Sequence, residues 1–156
     1  MRNDKLTLDI ITFGLPLSAD MRKALLEEGF ERRDSDQLPN HASGTVEWKP
    51  EMLELFVTDG QKERGGATGF NVRDDIRESG KAVYGIADLE QLREQGLIPE
   101  SRRGKAIFAW GDILRRGGGR LCVRHLCWDG GGWVWVCYWL DDGWLSDYPA
   151  AVAASS

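Results

Sequence analysis

Three cysteines and one of the two histidines gather near the C-terminus as Cys122-x2-His125-x-Cys127 followed by Cys137. Sulfur and imidazole at such spacing point first to zinc, which takes a tetrahedral set of four. Only three of these ligands are close in sequence, and an extended chain sends positions 122 and 127 to opposite faces, which disfavours a metal. A thiol nucleophile, Cys137 or Cys127 served by His41 or His125, lacks any surrounding motif. Asp141, Asp142 and Asp147 offer oxygen ligands of the kind calcium takes, but Asp-Asp-Gly and Ser-Asp-Tyr-Pro are also plain turn chemistry. Gly65-Gly66-Ala67-Thr68-Gly69 has no lysine and follows no clear strand, so it is not a phosphate loop. Arg115-Arg116, ahead of three glycines, is a small basic spot with a structural role. The expectation is a protein with no catalytic residue, no metal and no cofactor.

The stronger pattern is aromatic. Trp133, Trp135, Cys137 and Trp139 recur at every second position, so a β-strand puts them on one side and Val134, Val136 and Tyr138 on the other. Each buried indole removes about 150–250 Å² from water, so the tryptophan side reads as core. Glycines 117–119 and 130–132 bracket Leu121–Trp128, which suggests strands joined by tight connections.

The elements needed to hold such a strand are legible upstream. Lys5–Phe13 is rich in β-branched residues and stops at Gly14-Leu15-Pro16, a strand and a turn. Ser18 precedes a helix over Ala19–Glu28 stopped by Gly29. Residues 31–44 read as a polar connection, Gly44–Trp48 as a short strand, and Pro50–Val57 as either helix or strand. Gln61–Gly69 reads as a loop. A second helix is expected over Asp88–Gln95, capped by Asp88 and ended by Gly96. Pro99–Gly104 is a charged loop, and Lys105–Trp110 a buried strand.

Bulk properties set the limits. The 156 residues suffice for one domain with a core. A net charge of −5 argues against nucleic acid or an anionic membrane as the main partner. No apolar run approaches the roughly 20 residues of a membrane span. The N-terminus lacks the apolar block of a secretory signal, so a cytoplasmic location is expected, with export by another route left open. An odd cysteine count fits a reducing compartment. Composition breaks near residue 120: all eleven glutamates and all six lysines precede it, while five of seven tryptophans follow. Thirty-six residues cannot stand alone, so the whole of 1–156 reads as one α+β domain, two helices on mixed or antiparallel strands.

The segment 121–155, LCVRHLCWDGGGWVWVCYWLDDGWLSDYPAAVAAS, resembles the C-terminal variable region of proteins diversified by retroelements. In that family a reverse transcriptase copies a template repeat with errors at adenines, and the copy replaces the end of the gene. The family frame, L-x-W-x-x-x-x-W-x-W-x-x-x-W-L-D-x-x-W-x-x-x-x-P-A-A-V, is kept at Leu126, Trp128, Trp133, Trp135, Trp139, Leu140, Asp141, Trp144 and Pro149–Val152. Asparagine commonly fills its gaps, and this chain departs there at Asp129, Val134, Val136, Tyr138, Asp142, Leu145, Asp147 and Tyr148. Randomising both adenines of the asparagine codon AAC yields only NNC codons. Those permit every departure named and never encode Lys, Glu, Gln, Met or Trp. The tryptophan codon TGG holds no adenine and is untouchable.

The resemblance implies a C-type-lectin-like fold with 1–120 as scaffold and 121–156 as the variable, ligand-binding region. Trp128, Trp133, Trp135, Trp139 and Trp144 would be its fixed frame. Asp129, Gly130, Gly131, Gly132, Val134, Val136, Tyr138, Asp142, Gly143, Leu145, Asp147 and Tyr148 would be the displayed surface. The implied partner is a protein. An exposed stripe of Val134, Val136 and Tyr138, edged by Asp129, Asp142 and Asp147, would suit an apolar patch rimmed by Lys or Arg. Two other readings compete: a small prophage-type inhibitor of one host protein acting through an acidic, Trp-rich face, and a carbohydrate-binding module, which requires exposed indoles.

Overall fold

The computed structural model of the chain describes residues 17–42 and 48–154. The expected strand over 5–13 and most of the one over 44–48 lie outside the described residues.

Ser18 begins the first helix as its sequence suggests, its hydroxyl accepting the Met21 amide at 3.1 Å. Helix α1 spans Ala19–Glu27 and buries Met21 and Leu25. Strand β1 is Phe30–Arg33. The ambiguous stretch after Trp48 divides into a 3-10 turn, Pro50–Met52, and strand β2, Leu53–Phe56. Both readings of it were half right, because Pro50 starts the turn and the β residues follow.

The region read as a loop is more ordered. Helix α2 covers Asp59–Lys62, strand β3 covers Ala67–Thr68 and helix α3 covers Gly69–Ser79. Thr58 and Thr68 are their N-caps, and left-handed Gly80 (φ 71°) stops α3. Val72 and Ile76, one turn apart, are fully buried. Helix α4 runs Ile86–Glu94, two residues earlier than expected at its start. Gly85 holds the cap position, and Asp88 stands inside the first turn, reaching back to accept the Gly85 amide at 2.8 Å. The expectation of two helices is therefore corrected to four α-helices among the described residues, and a further 3-10 turn covers Glu100–Arg102.

The remaining strands are β4 Ile107–Arg116, β5 Leu121–Trp128, β6 Trp133–Trp139, β7 Gly143–Trp144 and β8 Ala150–Ala153. The main sheet has the order β2-β8-β4-β5-β6, with β1 pairing the far end of β4; β3 and β7 form a separate ribbon. Pairing is antiparallel except for β4 with β8. The chain is thus a mixed α+β fold with helices on both faces of a sheet. One core cluster joins Met21, Leu25, Leu89 and Leu92 to Ile107, Leu114 and Leu126. The other joins Val72 and Ile76 to Phe108, Trp110, Val123 and Trp144.

β4 crosses between these cores at a bulge. From Phe108↔His125 to Ile113↔Val123, β4 advances five residues while β5 advances two. Three extra residues reverse the alternation, so Ile107 and Leu114 face the same core although their parities differ. Gly111 permits the bulge: a Cβ there would sit 2.8 Å from the backbone of Gly85. The displaced backbone and carboxylate groups find partners, whereas the buried Trp110 indole N–H has none among the described residues. The Gly111 amide donates to Tyr84 O at 3.0 Å, and the Asp112 carboxylate accepts the Ile86 amide at 2.8 Å and pairs with Arg33 at 3.1 Å. Among the described residues no helix is long and apolar enough to cross a membrane.

Candidate functional site: the edge hairpin and its two faces

β6 lies at the edge of the main sheet, paired throughout with β5 from Cys122↔Trp139 to Trp128↔Trp133. The turn between them is tied by its own acid. Asp129 Oδ1 accepts the Gly131 and Gly132 amides at 2.9 and 3.0 Å, and these bonds hold its carboxyl below the ordinary range. Gly130 takes φ 97° to close the turn. Asp129, Gly130 and Gly131 are exposed and Gly132 is half-buried.

The indole face turns toward the core shared with α1 and α4. Trp133 is buried there, and Trp128, Trp135, Cys137 and Trp139 pack partly against it. Each half-buried indole is covered by a guanidinium: Arg103 over Trp128 at 3.7 Å, Arg124 over Trp135 at 5.9 Å and Arg120 over Trp139 at 4.2 Å. The Arg93 side chain also donates to Trp133 O at 2.8 Å. Trp144 belongs to the opposite core, fully buried against Phe108 and Trp110. Its indole N–H donates to Trp139 O at 3.1 Å. The five tryptophans of the frame are therefore divided between two cores.

The other face carries Val134, Val136 and Tyr138, opposite Cys127, His125 and Val123. It is less uniform than the expected exposed stripe. Val136 is 41 % exposed, whereas Val134 and Tyr138 are half-buried. The reason is the loop after β6, which folds back over the strand. Tyr138 packs edge-on against Trp144 at 5.0 Å and Tyr148 at 5.1 Å, and its hydroxyl donates to Gly143 O. The half-buried Tyr148 lies 5.7 Å from Phe108. Leu145, beyond them, is 45 % exposed, and Asp147 is exposed beside it.

That loop is carried by elements far upstream. Buried Gln61 donates to Leu145 O at 3.0 Å and Tyr148 O at 2.8 Å. Gly143 and Trp144 pair with Thr68 and Ala67, and the Gly69 amide donates to Leu140 O at 2.7 Å. Residues 59–69 thus form the seat of the loop rather than a loop of their own. The acids at the outer bend are engaged: Arg120 pairs with Asp141 at 3.0 Å and with Asp142 at 3.8 Å. Among the described residues, no group of three His, Cys, Asp or Glu side chains is placed to hold a metal ion.

One residue at this surface, Phe70, lies outside the sequence reading, and another, His125, takes a place its spacing did not suggest. Phe70, 39 % exposed, follows the glycine seated on Leu140 and Trp144. An apolar residue in the first turn after a threonine cap was the available signal. His125, beneath Val136, is buried with its ring 4.3 Å from Phe108, and its Nδ1 has no hydrogen-bond partner. Burial, aided by the charge of Arg124, pushes its imidazole down to about 4. It is neutral at neutral pH, its ring packed against Phe108. No family model, no curated protein and no solved structure matches this chain.

Proposed function

We propose that this chain is a non-enzymatic binding protein whose C-terminal surface is diversified by adenine-directed mutagenesis of a retroelement and engages protein ligands. The finer expectation of a C-type-lectin-like variable region belongs to the same reading. The observation that carries it is the coincidence of two independent patterns. Positions where the family frame would hold asparagine carry only residues that NNC codons encode. Two of these, Val136 and Leu145, are among the three exposed large apolar residues of the described chain. Three indoles of the frame sit on the reverse of the strand bearing Val136, two of them packed partly against the core and Trp133 buried in it.

A surface meant to accept many side chains needs a backbone fixed by residues that do not change. The Gln61 seat and the Trp144 anchor supply such fixation here. Valine, leucine and tyrosine with exposed acid at the margin favour a partner whose apolar patch is edged by Lys or Arg.

Sequencing the surrounding locus tests the reading. The expected result is a reverse-transcriptase gene and a near-copy of the coding sequence for 121–155, differing only where the copy has adenine. An invariant tail in sister isolates, with no such copy, overturns diversification and favours an inhibitor dedicated to one target.

A further inference from the structure

β6 forms an outer edge of the main sheet, and two bonds at the ends of its hairpin fix where its backbone groups point. The Leu140 amide donates to Leu121 O and the Asp129 amide to Gly132 O, both at 3.1 Å. Bonded and unbonded pairs alternate along an antiparallel ladder. Residues 134, 136 and 138 therefore face β5, while 133, 135, 137 and 139 turn their amides and carbonyls away from it. The two outermost of these carbonyls are served. Trp133 O accepts from Arg93 Nε at 2.8 Å and Trp139 O from Trp144 Nε1 at 3.1 Å. Between them, the amides and carbonyls of Trp135 and Cys137 meet no partner among the described residues.

An open edge invites another strand, and proteins usually guard one with a charge, a proline, a bulge or brevity. β6 has none of these guards. Its seven residues, WVWVCYW, include no charged side chain and no proline, and its register with β5 is unbroken. Val136, at its centre, is 41 % exposed. The edge is also symmetric. Served carbonyls at 133 and 139, and open groups at 135 and 137, stand in matching positions on either side of Val136. Turned through a two-fold axis at Val136, such a strand presents to itself an open group for every open group.

We propose that a second copy of this chain occupies the edge, β6 pairing antiparallel with β6 about Val136. Trp135 of each copy exchanges both backbone bonds with Cys137 of the other, so every open group finds a partner. An axis at Trp135 or at Cys137 would aim bonds at Trp133 O or Trp139 O, which are already engaged, so one register is selected. Val136 meets its counterpart as an unbonded pair with Cα atoms about 4.5 Å apart, and each Val134 lies opposite a Tyr138. Main-chain groups carry the contact, so exchanging one uncharged side chain for another on the outer face leaves it in place. The sheets of the two copies become continuous, and Val134, Val136 and Tyr138 of both form one face. That broadened ligand face rests on the binding reading above; the pairing itself does not.

Light scattering or sedimentation of the purified full-length chain, with no ligand added, reads the oligomeric state from about 1 to 100 μM. A dimer is expected within that range. Val136→Lys, which sets two ammonium groups across the axis, should raise its dissociation constant at least about tenfold. Val136→Thr, uncharged and suited to a strand, should keep the dimer. Mild oxidation of Val136→Cys should link two copies, because unbonded antiparallel pairs stand at disulfide distance. The parent chain, and Leu145→Cys at a position of similar exposure (45 %), should not link. A monomer over the whole range overturns the proposal, whether the edge stays open or residues 1–16 cover it. A dimer that survives Val136→Lys and does not link through position 136 lies elsewhere and overturns it as well. Locus sequencing bears on diversification and oligomeric state on this pairing, so either can fail alone.

Discussion

Asp88 and His125 are buried titratable groups driven in opposite directions. Burial first, then the charge of Asp112, raises the Asp88 carboxyl to about 6 despite its bond from Gly85. A raised acid binds its proton more tightly when folded, so its contribution is fully present below about 3.8 and is lost as pH rises through 6. His125 is lowered to about 4, so its contribution is present above about 6.5 and is lost as pH falls through 4. Each shift corresponds to about 3 kcal/mol, and the two slopes oppose each other across the same window. Urea unfolding between pH 4 and 6.5 should therefore show a shallow net dependence from this pair. Asp88→Asn should make the protein lose stability on acidification, and His125→Gln should make it gain. Parallel pH profiles in wild type and both variants would refute these assignments.

At the scale of elements, two backbone devices decide how the strands sit. The β4 bulge needs Gly111 against Gly85, so Gly111→Ala drives a Cβ into backbone 2.8 Å away and should cost about 1–3 kcal/mol in thermal or urea unfolding. The edge hairpin and its following loop answer differently at the surface and at the anchor. Val136→Ser changes an exposed side chain and should leave stability within about 0.5 kcal/mol while abolishing ligand capture in a binding assay. Trp144→Ala, emptying a site shared with Phe108 and Trp110, should cost about 3–5 kcal/mol and loosen the Leu145–Tyr148 loop with it. Equal losses of stability from the two changes would mean that Val136 is as structural as Trp144.

For the whole molecule, the test is tolerance. A library with NNC codons at 129, 134, 136, 142, 145 and 147 should yield mostly folded members with melting temperatures near the parent. The same library extended to Trp133 and Trp144 should yield few. Tyr138 and Tyr148 stand between these classes, because their rings complete the cluster over Phe108 and Trp144. Substitutions there should change both binding and stability.

Local chemistry made much of this legible. The Ser18 cap, the glycine-bounded hairpin and the alternation of β6 are written in residues a few positions apart, where side-chain period and turn preference act directly. Helix α3 was legible in principle from Thr68, Val72, Ile76 and Gly80, but its charged, glycine-rich approach concealed it. No local rule gives the reversal of β4 at Gly111, since its cause is Gly85, and none shows that Gln61 seats a loop 84 residues away. The division of five tryptophans between two cores, and the meeting of Arg124, Glu28 and Cys137, likewise arise from contacts distant in sequence. Sequence by itself determined which side chains of β6 share a face, because a strand alternates wherever it lies. Tertiary structure alone decided how much of each face meets water, because that depends on which helices and loops the rest of the chain brings to cover it.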